Sequence, residues 1–333
     1  CSSDLGPLLK GIPLVIAPDD LVSNPAKFVP FLAEHHVTRI VLVPTLLKEM
    51  LDHEPNLSQK LPDLNLWTSS GEPLTVELYN QFVSANPYAK LLNIYGSSEV
   101  TADVTCLDTS QYPTPNQMFI GKPIDNTKVY ILDDILEPVP IGIPGQLYVS
   151  GAGVALGYHN RPKLTAERFV ENPFEPGETM FRTGDLARFN SDGQIEYMGR
   201  ADSQLKIRGI RIEPEEVEQA TTKHAAINEA VVGGWDGPTG LELVVWFTLN
   251  DDVENSPDLS ELRQSLIKYL PVYMIPSKFV HLPKIPKLPN GKIDRLSLPE
   301  PKLEIYRSTL PYTPPNDDIE ESLVRSEEHT SEL

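Results

Sequence analysis

The apolar positions of residues 6–110 alternate between two periods. Pro13–Ala17 (PLVIA) and Arg39–Val43 (RIVLV) are short β-rich runs of the kind that form buried strands in a mostly parallel sheet. Between them, Phe28, Phe31 and Leu32 recur at helical spacing across Asn24–His36, and Asn24 followed by Pro25 suits an N-cap and first helical turn. Further helices are predicted over Pro44–Leu51 and Val76–Ser84. Strand and helix in alternation predict a doubly wound α/β arrangement, in which ligands lie at the carboxyl ends of strands. That directs attention to Trp67–Pro73 and Asn93–Glu99.

Residues 111–202 change character. Short strands at Lys128–Leu132, Gln146–Ser150 and Ile195–Met198 alternate with Pro- and Gly-rich turns such as Pro138–Gly145, which predicts a small barrel-like β subdomain. Residues 203–306 read as an α+β lobe, with helices at Glu213–His224 and Ser260–Tyr269 and strands at Ala230–Gly233 and Leu243–Leu249. Pro299–Pro315 is a Pro-rich connector, and within 307–324 an acidic amphipathic helix starts at Asp317. Residues 1–5 (CSSDL) and 325–333 (RSEEHTSEL) look like translations of the two orientations of a sequencing-library adapter, although a polar tail would use similar residues. On the adapter reading, 6–324 is an internal fragment of a longer protein.

Composition narrows the function. At roughly 100–200 residues per domain, 333 residues predict about two domains or subdomains. Two cysteines make no disulfide framework, and no apolar run approaches the roughly 18–20 residues that span a bilayer. A formal charge of −19 argues against an electrostatic grip on nucleic acid. The expectation is an acidic cytoplasmic protein with no membrane and no nucleic-acid partner.

Gly151–Gly157 (GAGVALG) follows a strand and looks like a loosened dinucleotide fingerprint, but YHNRP follows it where a helix N-terminus would be needed. A turn between antiparallel strands is the better reading. Asn93–Glu99 (NIYGSSE) places an aromatic, a glycine, small hydroxyls and a carboxylate at a strand end; it could be an ordinary turn, or a purine shelf with a metal-facing carboxylate. Four further blocks follow: YVSGAGVALGYHNRPKLTAERFV at Tyr148–Val170, FRTGDLAR at Phe181–Arg188, GRADSQLKIRGIRIEPEEV at Gly199–Val217 and PKIPKLPNGKIDRLSL at Pro283–Leu298. In this order and spacing the five blocks resemble the adenylate-forming (AMP-binding) superfamily, and more narrowly the adenylation domains of nonribosomal peptide synthetases.

The resemblance implies an α/β multidomain fold. It would comprise the C-terminal part of a large doubly wound subdomain (6–110), a β-rich subdomain completing that core (111–202) and a mobile α+β lobe (203–306), with a carrier domain beginning within 307–324. It implies ATP and Mg²⁺ as cofactors. Tyr95 would stack on adenine, with Gly71, Glu72 and Pro73 on the other side of the base and Asn93, Gly96, Ser97 and Ser98 completing the nucleotide site. Glu99 would hold Mg²⁺, Asp185 the ribose hydroxyls, and Arg200 the ribose side of the nucleotide. Lys292, at an Asn-Gly hairpin tip, would stabilise charge as the substrate carboxylate attacks the α-phosphate.

Asp202 would be the hinge about which the lobe turns, presenting either Lys292 to ATP or Lys206 and Gly209 to the phosphopantetheine arm of a downstream carrier domain in the same polypeptide. The amino-acid pocket would be lined by Val41, Thr68, Ser70, Ile94, Ala102 and Asp103. A carboxylate at Asp103 calls for a cationic partner, which a β-amine or a basic side chain would supply; the set resembles β-alanine-activating domains. The family's Gly/Ser-rich phosphate loop does not occur in the sequence, so the fragment itself is expected to be inactive. An acyl-CoA ligase of the same superfamily and a non-catalytic interaction module are the competing readings.

Overall fold

The computed structural model describes residues 2–301 except 23, 113–114, 203, 238–239, 251–252, 254–256 and 289–292, together with the side chains of 2–5, 19 and 20. Lys292 and the connector and carrier start beyond residue 301 lie outside the described residues. Residues 1–298 form one compact unit.

Its first layer is a five-stranded mixed sheet in the order β1 (Arg39–Leu42), β2 (Leu66–Ser70), β3 (Lys90–Tyr95), β4 (Thr105–Asp108), β5 (Lys122–Pro123). The first three strands run parallel, and the crossovers between them carry the helices Pro44–His53 and Val76–Ala85. The helix Pro25–Glu34 starts as expected, with the Asn24 side chain accepting from the Ala26 N–H. These helices bury Phe28, Leu32, Leu47, Met50 and Phe82 against Trp67 and Leu91 of the sheet, leaving Trp67 only 1% exposed. Pro13–Ala17 is not a strand. Among the described residues no neighbouring strand pairs with it, and Leu14, Val15 and Ile16 stay exposed.

The second layer is the antiparallel sheet β10 (Ile195–Arg200), β9 (Thr179–Phe189), β7 (Gly145–Gly151), β6 (Thr127–Leu132), with β8 (Phe169–Glu171) also pairing with β9. It is a curled half-barrel, and Gly151–Gly157 leaves β7 into turns rather than a helix. The two-stranded hairpin β11 (Leu205–Ile207) and β12 (Ile210–Ile212) leads into the C-terminal lobe. There the sheet β13 (Ile227–Gly237), β14 (Gly240–Leu249), β15 (Lys278–His281) packs against the helices Pro214–Thr221 and Leu259–Ile267, burying Val217, Val245, Phe247 and Leu262.

Candidate active site

The carboxyl ends of β2 and β3 open onto the turn that carries Glu99. Ser98–Val100 makes one 3₁₀ turn, entered from extended Ser97. Position 96 must be glycine, because a Cβ there would lie 1.6 Å from the Ala102 carbonyl oxygen. Thr101 and Ala102 follow with φ of 62° and 75°, a region that side chains disfavour. The Ala102 N–H bonds the Ser97 carbonyl at 3.0 Å and the Thr101 hydroxyl bonds the Gly153 carbonyl at 2.7 Å, which hold the turn against that strain.

The turn draws Glu99 inward until it is 6% exposed. Its Oε1 accepts from the Tyr158 hydroxyl at 2.7 Å and from Arg211 Nη1 at 2.5 Å. Burial pushes the carboxyl pKa up, but Tyr158 and Arg211 outweigh it and hold the group below its usual value. The Tyr158 hydroxyl is pushed up to about 12 by its own burial and by Glu99. Glu99 Oε2 and Ser97 Oγ are buried with no hydrogen-bond partner.

A second network joins β3, β9 and β10. Tyr95 donates its hydroxyl to Asp185 Oδ2 at 2.5 Å, and Arg200 Nη1 donates to Asp185 Oδ1 at 2.8 Å. Burial raises the Asp185 pKa despite both donors. Arg200 also grips Asp202 bidentately, Nε to Oδ1 at 2.6 Å and Nη2 to Oδ2 at 2.8 Å, and Arg168 adds a 3.3 Å contact to the same carboxylate. Lys206, its pKa lowered by burial, lies 5.8 Å over the Tyr95 ring.

Two cavities meet here. One of about 200 Å³ is lined by Gly71, Glu72, Pro73, Asn93, Ile94, Tyr95 and Gly96, closed by Met118, Phe119, Tyr197 and Lys206. Its aromatic and backbone walls suit a planar heterocycle. The other, about 260 Å³, is charged; Ser70, Ser97, Ser98, Ala102, Asp103, Asp185, Arg200, Lys206 and Gly209 line it. Gly71, Gly96 and Lys206 belong to both.

Most sequence-predicted residues thus converge, with differences of role. The Asn93 amide donates to the Phe119 carbonyl at 2.7 Å, holding the loop that closes the first cavity. Val41, 42% exposed, and buried Thr68 line neither cavity. Strand register still puts them on one sheet face with Ser70 and Ile94, since Val41 pairs with Thr68 and Ser70 with Ile94. Lys292 lies outside the described residues, but its flanks Lys287 and Ile293 bridge antiparallel. Tyr158 and Arg211 lie within the motif blocks, but nothing in those blocks pairs either of them with Glu99; that convergence is purely spatial.

Among the described residues no cluster of three or more His, Cys, Asp or Glu could hold a metal ion. A cation here would rest on one carboxylate and on ligand phosphates, the habit of Mg²⁺, and the partnerless Glu99 Oε2 is a hard oxygen donor of the right kind. Among the described residues no helix is long and apolar enough to cross a membrane.

Comparison with known proteins gives the family. The family profile "AMP-binding enzyme" matches residues 2–159, and "AMP-binding enzyme C-terminal domain" matches residues 216–292. Bacitracin synthase 3 of Bacillus licheniformis is 42% identical over 318 residues, 95% of this chain and 5% of that protein. Tyrocidine synthase 1 of Brevibacillus parabrevis is 40% identical over 319 residues, 95% of this chain and 28% of that protein. The chain therefore spans a small part of the curated relatives it matches. Among solved structures, IdnL1 superposes with a TM-score of 0.71 at 30% identity, covering 81% of this chain and 55% of that one. Holo-PA1221, an NRPS protein containing adenylation and PCP domains bound to a vinylsulfonamide inhibitor, gives 0.70 at 27%, covering 82% and 46%.

Proposed function

From a chain that belongs to the AMP-binding enzymes, as adenylation-domain sequence of the nonribosomal peptide synthetase type, we propose an ATP-dependent amino-acid ligase that loads a carrier domain. The observation that carries this reading is the meeting of an aromatic, base-shaped cavity at Tyr95 with a charged cavity holding Asp185, Arg200 and Lys206. In the first half-reaction the substrate carboxylate attacks the α-phosphorus of ATP, the bond to pyrophosphate breaks, and an acyl-adenylate forms. In the second, a pantetheine thiolate attacks the acyl carbon and AMP departs.

Tyr95 and the Gly71–Pro73 backbone hold the base. Asp185 accepts the ribose hydroxyls on lone pairs left over from Tyr95 and Arg200. Glu99 would hold Mg²⁺, which would neutralise charge on the phosphates. Lys292 stabilises the charge that develops at the α-phosphate. Asp202 is the hinge, and Lys206 and Gly209 face the pantetheine arm.

The amino acid is a small β-amino acid, β-alanine in the first instance, accommodated by Ser70, Ala102 and Asp103, which line one cavity. The 333-residue chain alone is expected to be inactive, because no phosphate-loop sequence occurs in it. The enzyme works in the cytoplasm with a carrier domain in the same polypeptide.

The test is amino-acid-dependent ATP–pyrophosphate exchange by the intact synthetase polypeptide bearing this sequence, with β-alanine, alanine, ornithine and propionate compared. Lys292→Ala should lower exchange about 10²–10³-fold. Preference for alanine or propionate removes the β-amino-acid assignment. Transfer to free coenzyme A with no carrier loading would favour the acyl-CoA ligase reading.

A further inference from the structure

The Glu99 carboxylate is completed by a residue from beyond the hinge. Arg211, on β12, donates from Nη1 to Glu99 Oε1 at 2.5 Å and from Nε to Glu213 Oε1 at 3.0 Å. The same hairpin docks a second time, the Gly209 N–H donating to Glu72 Oε1 at 2.6 Å. Thr45 fixes the other Glu72 oxygen, through its N–H at 3.0 Å and its hydroxyl at 2.7 Å. The Glu99 and Glu72 carboxylates therefore each accept a hydrogen bond from the β11–β12 hairpin, one of them from a full positive charge.

Glu99 cannot serve Arg211 and a divalent ion equally. With Tyr158 and Arg211 on Oε1, its remaining oxygen is sealed from solvent and without a partner. A buried carboxylate needs one cation and gains little from a second at contact distance, because like charges repel strongly away from water. The geometry points to Arg211 as a positioning residue for the thioester-forming step: it stands on Glu99 in place of the divalent ion, so the ion-bound and Arg211-paired states exclude each other. This rests on the adenylation reading above. When Glu99 holds no ion, its buried charge draws Arg211 in, and the hairpin docks with Lys206 and Gly209 at the charged cavity. Binding an ion to Glu99 releases that contact and favours other orientations of the lobe, since a ligand shifts a conformational equilibrium by its differential affinity.

The experiment uses the intact synthetase polypeptide bearing this sequence, with saturating AMP to supply the phosphate oxygens the site needs, and Mn²⁺ as the probe. Loss of the free-ion electron paramagnetic resonance signal measures binding in wild type, Arg211→Gln and Arg211→Lys, each with and without Glu99→Gln to isolate the site. Arg211→Gln should bind Mn²⁺ about ten-fold more tightly at the Glu99-dependent site, and Arg211→Lys should return most of the way to wild type. The rate of thioester formation relative to pyrophosphate exchange should fall about ten-fold in Arg211→Gln and recover in Arg211→Lys. Equal Mn²⁺ affinity in wild type and Arg211→Gln, or parallel loss of both half-reactions, would overturn the proposal. Wild-type protein that shows no exchange with any amino acid overturns the adenylation reading instead, while the Mn²⁺ comparison still judges Arg211.

Discussion

Gly209 offers the sharpest quantitative test of how the hairpin sits on the core. Its φ is +72°, and a Cβ built there would lie 2.3 Å from Val43 Cγ1 and 3.4 Å from Val43 Cβ. Gly209→Ala therefore meets two separate penalties. Holding alanine in the left-handed region costs about 1–2 kcal/mol. Forcing a methyl group into an occupied space costs about 1–3 kcal/mol more. If the hairpin retreats to relieve the clash, it gives up the 2.6 Å bond to the Glu72 carboxylate, a charge-assisted contact of about 1.5–3 kcal/mol. By either route the expected loss is about 2–5 kcal/mol.

Val43→Ala separates the two penalties, because it removes the methyl that clashes and leaves the backbone strain. In the double variant, adding Gly209→Ala to Val43→Ala should cost only about 1–2 kcal/mol, giving a coupling of about 1–3 kcal/mol. The assay is urea unfolding of the four proteins followed by circular dichroism. Additivity within about 0.5 kcal/mol would refute the contact between Val43 and the hairpin tip.

Two further outcomes follow from the same networks. Tyr95→Phe keeps the ring but deletes the donor to Asp185, and should lower stability by about 1.5–3 kcal/mol in urea unfolding at neutral pH; an unchanged midpoint would show that the Tyr95 hydroxyl contributes nothing. Burial raises the Glu99 and Asp202 carboxyls, but Tyr158 with Arg211, and Arg200 with Arg168, outweigh it and hold both below their usual values. The folded state thus binds fewer protons than the unfolded one in acid, so their contribution is complete above the ordinary carboxylate range and is lost as pH falls through the folded values. Melting temperature measured from about pH 6 down to about pH 3 should fall less steeply in Glu99→Gln/Asp202→Asn than in wild type; parallel curves would exclude these two groups.

Local pattern was enough to determine five of the helices and six of the fifteen strands among the described residues. Asn24-Pro25 announced a helix start because a capping side chain and a preset φ act within one turn, and Arg39–Val43 announced a strand because its apolar run is too short for a buried helix. The motif blocks likewise carried Tyr95, Glu99, Asp185 and Arg200, residues whose neighbours in sequence are the turns that aim them. Pro13–Ala17 shows the limit: a strand needs a partner's ladder, and no property of five residues says whether one is present. Only the tertiary structure decided what each charge faces. Arg211 meets Glu99, and Arg168 meets Asp202, across chain separations that no periodicity encodes, because a buried carboxylate selects its cation by three-dimensional approach. Thr68 likewise shares a sheet face with Val41 on the neighbouring strand through strand register, while its burial keeps it out of both cavities.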